Sequence, residues 1–311
     1  MSELTSFIFD GLPVRRMLVR LTDAWQEVLR RREAVRALLG EMTAAAVLMQ
    51  ASIKFKGALV IQVFGDGPVK LAVAEVQPDL AFRATAKVVG EVPPGAGLEA
   101  LLNVHGQGRC AITLDPQERL PGQQPYQGVV PLHGDHREPL QQVSQVLEHY
   151  MLQSEQLDTR LVLAADDHIA AGLLIQRLPL EGSGNLGARR NEDDIGLSEA
   201  YNRISLLAAT LTPRELLTLP GEQMLHRLFW QEKVTGFAPR KPRFACSCSG
   251  ERVRGMLRSL GREESEGLIA ERGLVEVGCD FCGAMYRYDA VDVGEIFTAQ
   301  RDQPPASEAV Q

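Results

Sequence analysis

The sequence predicts an α+β protein. The expected parts are an N-terminal domain of mostly antiparallel sheet with packed helices, a helical linker, and a small C-terminal metal-binding module. Three observations lead there. β-rich runs meet at a short turn cluster, Gly65-Asp-Gly-Pro68, and the regular strand–helix alternation that a parallel sheet requires is missing. Apolar residues recur at helical spacing in a few longer stretches. Four of the five cysteines fall in two tight pairs near the C-terminus, Cys246 with Cys248 and Cys279 with Cys282.

Size and charge narrow the class. The chain has 311 residues and 45% apolar content, enough for two domains with a real core. A net charge of −7 argues against a nucleic-acid or membrane-surface protein. The first ten residues lack a basic region followed by an apolar run, so no signal peptide is read. No apolar run is long enough to span a bilayer. The expected setting is cytoplasmic, where paired cysteines are metal-binding or redox-active in preference to a disulfide framework.

Residues 1–180 are expected to form one domain. Thr22 caps a helix beginning at Asp23, and a second helix runs from Glu33 to Ala51 with Val35, Leu38, Leu39, Met42, Ala45, Ala46 and Met49 as its stripe. Ala58–Phe64 and Val69–Val76 flank the turn cluster as a hairpin, and Phe82–Val89 extends the sheet. Short strands follow at 110–114 and 126–130. An amphipathic helix carries Leu140, Val143, Val146, Leu147, Tyr150 and Met151. Strands at 159–164 and 172–176 close the sheet. No active site emerges: Gly65-Asp-Gly lacks the Gly-Lys-Ser/Thr of a phosphate loop and is a hairpin turn. His133, Asp135 and His136 form a candidate ligand group, set against the commoner reading of solvated turn residues. Cys110 is read as a buried core thiol.

Glycine and charge replace the apolar rhythm over 181–196, which marks a boundary. Residues 181–235 are expected to be a linker of short helices that are marginal alone. They comprise a stripe through Leu197, Tyr201, Ile204, Leu207, Ala208 and Leu211, a capping box at Thr212-Pro-Arg-Glu215, and a piece at Met224–Trp230 beyond Pro220-Gly221. Residues 236–297 form the cysteine module, with helices around Val253–Leu260 and Glu264–Ala270 and a hairpin of 274–278 with 284–288. The tail, 298–311, is expected to be disordered.

C-x-C and C-x-x-C spacings each bring two sulfurs to one side of a tight turn. Two such pairs, Cys246/Cys248 and Cys279/Cys282, supply four thiolates for a closed tetrahedral Zn²⁺ site, one ion per chain. Gly283 and Gly250 give the knuckles the backbone freedom to wrap their ligands. Bound metal would contribute on the order of 10–16 kcal/mol to folding such a small module. Thiolates are also the form that peroxide attacks, and Arg240, Lys241 and Arg243 are expected to favour that form at Cys246. Two other readings stay open at this point. One is a constitutive zinc module for binding partners, although nine basic and eight acidic residues over 240–290 give no basic stripe for nucleic acid. The other is a thiol-disulfide oxidoreductase, although the βαβ context usual for C-x-x-C is missing.

The cysteine spacing, with Phe244 before it and Gly283 after it, resembles the redox-switch domain of the thirty-three-kilodalton heat-shock chaperonin family of bacteria. Phe64-Gly-Asp-Gly-Pro68, Tyr126-Gln-Gly-Val-Val130, Tyr150-Met-Leu-Gln-Ser-Glu-Gln-Leu157, Ala170-Ala-Gly-Leu-Leu-Ile-Gln176 and Glu215-Leu-Leu-Thr-Leu-Pro220 are similar to that family's segments in the same order. The resemblance implies an ATP-independent holdase and no enzyme, dormant when reduced and zinc-bound. It implies that oxidation forms Cys246–Cys248 and Cys279–Cys282 disulfides, ejects zinc and destabilises the linker. The exposed surface would then bind unfolding proteins, commonly as a homodimer. Two departures stand out: the long glycine-rich linker, and Cys110 outside the motif.

Overall fold

The structure, a computed structural model, describes residues 1–29, 35–118, 122–178 and 193–298. Most of the glycine-rich boundary and residues 299–311 of the expected tail lie outside them. The chain forms two compact units, Met1–Ala245 and Cys246–Gln311.

In the first unit, β1 (Glu3–Phe9) and β2 (Val14–Leu21) precede α1 (Asp23–Leu29) and α2 (Arg36–Ser52). Then come β3 (Gly57–Phe64), β4 (Val69–Val76), β5 (Ala81–Val88), α3 (Leu98–Leu102), β6 (Arg109–Pro116) and β7 (Tyr126–Pro131). α4 (Val143–Glu155), β8 (Thr159–Ala165) and β9 (Ala170–Arg177) follow, then α5 (Asp193–Ala209), α6 (Pro213–Thr218), α7 (Gly221–Phe229), β10 (Val234–Gly236) and β11 (Arg243–Phe244). The second unit holds α8 (Gly250–Leu260), α9 (Arg262–Arg272), β12 (Val275–Gly278), β13 (Met285–Tyr288) and α10 (Ala290–Thr298).

Two sheets sandwich one helix. The order β10-β1-β2-β9-β8 makes a five-stranded sheet, and β11-β5-β4-β3-β6-β7 a six-stranded one. The pairings are antiparallel except the two-residue contact of β11 with β5, so the expected α+β class with mostly antiparallel sheet is found. The hairpin joins Phe64 to Leu71 across the Gly65–Pro68 turn. α2 packs against strands of both sheets, and for that reason it is buried almost all round instead of along one stripe. Ala44, Val47 and Leu48, off the expected stripe, are fully covered. Gly40 is required there, because a Cβ would lie 2.2 Å from the Ala165 Cβ. At α1 the Thr22 hydroxyl donates to the Asp23 carboxylate (3.1 Å), while the Ser2 hydroxyl accepts the Ala24 N–H.

β9 is covered on both faces, so it reads as a continuous apolar run. Ala170 and Leu174 face the central core with α2. Ala171, Leu173 and Ile175 face outward, with Phe9, Val14 and Leu18, into a second core. That outer core is roofed by α5–α7 and the turn between α5 and α6 through Tyr201, Ile204, Ala208, Leu211, Leu216, Met224, Leu225, Leu228 and Phe229. The Thr212–Glu215 capping box is formed as expected. From β2, the Arg20 guanidinium donates to the carbonyls of Leu216 (2.9 Å), Leu217 (3.0 Å) and Leu219 (2.7 Å), satisfying the open end of α6.

Neighbouring Arg16 is 2% exposed. Its guanidinium lies 4.4, 5.1 and 5.0 Å from the ring centroids of Phe7, Phe9 and Phe229, and its Nε and one terminal nitrogen have no hydrogen-bond partner. Burial lowers its pKa to about 10.

Candidate metal centre

Two arms build the site. The first is the extended segment Cys246–Ser249, which ends where the Ser249 hydroxyl accepts the Arg252 N–H and caps α8. The second is the β12–β13 turn, closed by Cys279 N–H to Ala284 O (2.9 Å) and Gly283 N–H to Cys279 O (2.7 Å). Gly283 sits at φ +70°, the left-handed conformation its knuckle needs. The core behind these arms is small: Val253, Leu257, Val275, Tyr288, Val293 and Ile296. Met256 and Leu260, expected in the same stripe as Val253 and Leu257, are exposed.

The four sulfurs of Cys246, Cys248, Cys279 and Cys282 lie within 4.8 Å of one another. The short contacts cross between the arms, Cys246 Sγ to Cys279 Sγ at 3.6 Å and Cys248 Sγ to Cys282 Sγ at 3.3 Å. A tetrahedron with Zn–S bonds of about 2.3 Å has S···S edges of roughly 3.8 Å, so the donor set fits such an ion in chemistry and size. These four could hold a metal, and among the described residues they are the one group of three or more His, Cys, Asp or Glu that could.

Backbone N–H groups point at the sulfurs. At Cys279, desolvation is outweighed by the N–H groups of Cys282 and Phe281 and by the Cys246 and Cys282 thiols, and its pKa falls to about 7. Desolvation and the neighbouring thiols push Cys282 up to about 12, and desolvation raises Cys246. Two tyrosines not singled out in the sequence complete the surroundings. Tyr286 donates its hydroxyl to Cys248 Sγ (3.1 Å), and Tyr288 donates to the Gly250 carbonyl (3.0 Å). Their Tyr-x-Tyr spacing was the available signal, since it places both on one face of a strand.

Other expected groups lie elsewhere. Arg243 pairs with Asp79 (2.6 Å) and Arg240 donates to the Pro78 carbonyl (3.0 Å), so these cations serve the β11 strand region instead of a cysteine. His133, Asp135 and His136 do not converge. The His133 ring meets the Gly134 carbonyl, the His136 N–H bonds Glu138, and Gln153 donates to Asp135. Cys110, on β6, is 1% exposed among aliphatic side chains, and burial pushes its thiol up to about 12. No helix among the described residues is long and apolar enough to cross a membrane.

The family described as Hsp33 protein matches residues 2–289. The 33 kDa chaperonin of Chromobacterium violaceum is 46% identical over 298 residues, covering 95% of this chain and 93% of its own. That of Methylobacillus flagellatus is 40% identical over 306 residues, covering 97% and 96%. The crystal structure of the 33 kDa chaperonin from Thermotoga maritima shares the fold, with a TM-score of 0.74 at 20% identity over 97% of this chain and 99% of that one. The chain belongs to the Hsp33 family, whose relatives found here are named chaperonins and not enzymes.

Proposed function

We propose that the chain is a redox-regulated, ATP-independent holdase, zinc-bound and inactive when reduced. The observation that carries this reading is the convergence of four thiols, drawn two from each arm, on a module with a small core. Bound Zn²⁺ would hold the sulfurs as thiolates and join the arms. Oxidation would pair Cys246 with Cys248 and Cys279 with Cys282. In each pair two thiolates pass two electrons to one hydrogen peroxide, which takes up two protons and leaves as two waters. The arms then lose their common tie, and a core of six buried apolar side chains is little to hold the fold.

In this reading, residues 181–235 are the metastable linker between a core domain, 1–180, and a switch domain, 236–297, in the cytoplasm. Release of α5–α7 would uncover Phe9, Val14, Leu18, Ala171, Leu173 and Ile175, an apolar sheet face suited to unfolding proteins. The oxidised form would act as a homodimer. The alternative of a thiol oxidoreductase is disfavoured because Cys279–Cys282 sits in a β-turn and not at a helix N-terminus, where such thiols are activated.

The test is to follow zinc release, far-UV circular dichroism and aggregation of a denatured client before and after peroxide with mild heat. Zinc loss, loss of helix and suppressed aggregation should appear together. Zinc loss with client aggregation unchanged would refute the chaperone reading, and catalytic turnover of a dithiol would favour the oxidoreductase.

A further inference from the structure

The two tyrosines of β13 contact the C-x-C arm in different ways. Tyr286 and Tyr288 stand opposite Val277 and Val275 in the β12–β13 ladder, two residues apart and so on one face. Tyr288 is buried and its hydroxyl holds a backbone carbonyl, that of Gly250. Tyr286 is half-buried and its hydroxyl reaches a sulfur, Cys248 Sγ, at 3.1 Å. One tyrosine positions the arm, and the other also acts on the electrons of a candidate ligand.

We infer that Tyr286 is a positioning residue that restrains the reactivity of Cys248, so that the C-x-C pair resists peroxide. This rests on the function proposed above. A phenol O–H donated to a thiolate occupies a sulfur lone pair and spreads its charge, and a thiolate stabilised in this way is a poorer nucleophile. In the step concerned, Cys248 Sγ attacks one peroxide oxygen. The O–O bond breaks, an S–O bond forms, and the departing hydroxide is protonated to water. Cys246 Sγ then attacks the sulfenic sulfur, the S–S bond forms, and the second oxygen leaves as water after protonation. The sulfurs give up two electrons and the peroxide accepts them. The Tyr286 hydrogen bond must weaken as the first attack proceeds, because the negative charge it stabilises leaves the sulfur when the S–O bond forms.

The experiment uses the full-length reduced chain loaded with zinc, and the variants Tyr286→Phe and Tyr288→Phe. Hydrogen peroxide is added, free thiols are trapped with an alkylating reagent at intervals, and loss of Cys248 and Cys279 thiol is read by peptide mass spectrometry. Zinc is followed with a metallochromic dye. Expected are one zinc per chain in Tyr286→Phe and oxidation of Cys248 about three- to tenfold faster than in wild type. The sulfur-to-metal charge-transfer band of the Co²⁺-substituted chain should also shift. Tyr288→Phe loosens the arm without touching the sulfur, so it should leave the Cys248 rate near wild type. Equal Cys248 rates in wild type and Tyr286→Phe would overturn the inference, as would equal acceleration by Tyr288→Phe, which would assign the effect to arm mobility. A wild-type chain that binds no zinc would sink the function reading instead, and the Cys248 rates of the metal-free proteins would still decide the role of Tyr286.

Discussion

Replacing Arg16 with methionine should tighten the hold of α7 on the five-stranded sheet. Arg16 sits under that helix with two nitrogens lacking partners, faced by Phe7 and Phe9 from β1 and Phe229 from α7. Its pKa is lowered from 12.5 to about 10 by burial, which corresponds to about 3 kcal/mol against the charged form. The ring of Phe229 returns up to about 2 kcal/mol through cation–π attraction. Lifting α7 lets water reach the guanidinium while β1 keeps its two rings beside it, so the buried cation favours release of the helix. Methionine fills similar space, needs no hydration and keeps favourable sulfur–aromatic contacts. The expected gain is about 1–3 kcal/mol, or roughly five- to 150-fold slower opening. Hydrogen exchange of peptides spanning Gly221–Phe229 in the reduced protein measures it. Exchange as fast as in wild type, or faster, would show that the three rings outweigh the lost hydration.

Three further outcomes are expected. Arg20→Met removes three hydrogen bonds from carbonyls at the end of α6 and should destabilise the packing of α6 by about 2 kcal/mol. Raised client binding in the reduced state is the readout, and unchanged exchange of α6 would contradict it. Cys279→Ser takes one of four sulfurs from the candidate site. It should lower zinc affinity and loosen the second unit even when reduced, and a zinc titration showing wild-type affinity would sink the four-ligand assignment. Burial raises Glu41 from 4.5 to about 7. Its folded value exceeds its unfolded one, so its stabilising contribution is full below about pH 4.5 and is lost as pH rises through 7. Glu41→Gln should therefore raise stability at pH 8 by up to about 3 kcal/mol and flatten the slope between pH 5 and 7. Urea melts at both ends of that range check it, and an unchanged slope would count against it.

Local chemistry made much of this molecule legible. Gly65–Pro68 announced the β3–β4 hairpin because a tight turn is specified by the residues in it, and Thr212–Glu215 announced α6 for the same reason. The cysteine pairs were legible because ligand spacing is set by a knuckle's own backbone. What depends on distant partners was harder to read. β1 and β2 do not show in the sequence, since Arg15, Arg16 and Arg20 break the apolar rhythm of β2, and what accommodates two of them is Phe229 and the end of α6, about two hundred residues away. α2 showed one stripe because periodicity within a helix cannot reveal a second sheet on its other side. Sequence proximity points Arg243 at the cysteines, whereas the β11–β5 pairing brings it to Asp79. The Tyr286–Cys248 contact joins two arms and was not visible in either alone.

The stretch from β10 to β11 has a consequence for how any disturbance travels. Between α7 and Cys246 the chain is sewn to β1 at Val234–Gly236, bridged from Arg240 to Leu4, and sewn to β5 at Arg243–Phe244. The last stitch is the Ala245 N–H on the Phe82 carbonyl, with Phe244 edge-on to Phe82 beside it. Unravelling that begins at Cys246 meets these seams in turn before it reaches the roof over the outer core. The seams are short, three residue pairs at β10, a single bridge at Arg240 and two pairs at β11, so opening any one of them breaks little backbone pairing. In the function proposed above, the backbone route from the sulfurs to α7 would work as a fuse with a threshold: chemical damage at one end would pass only when these strand edges are also loosened.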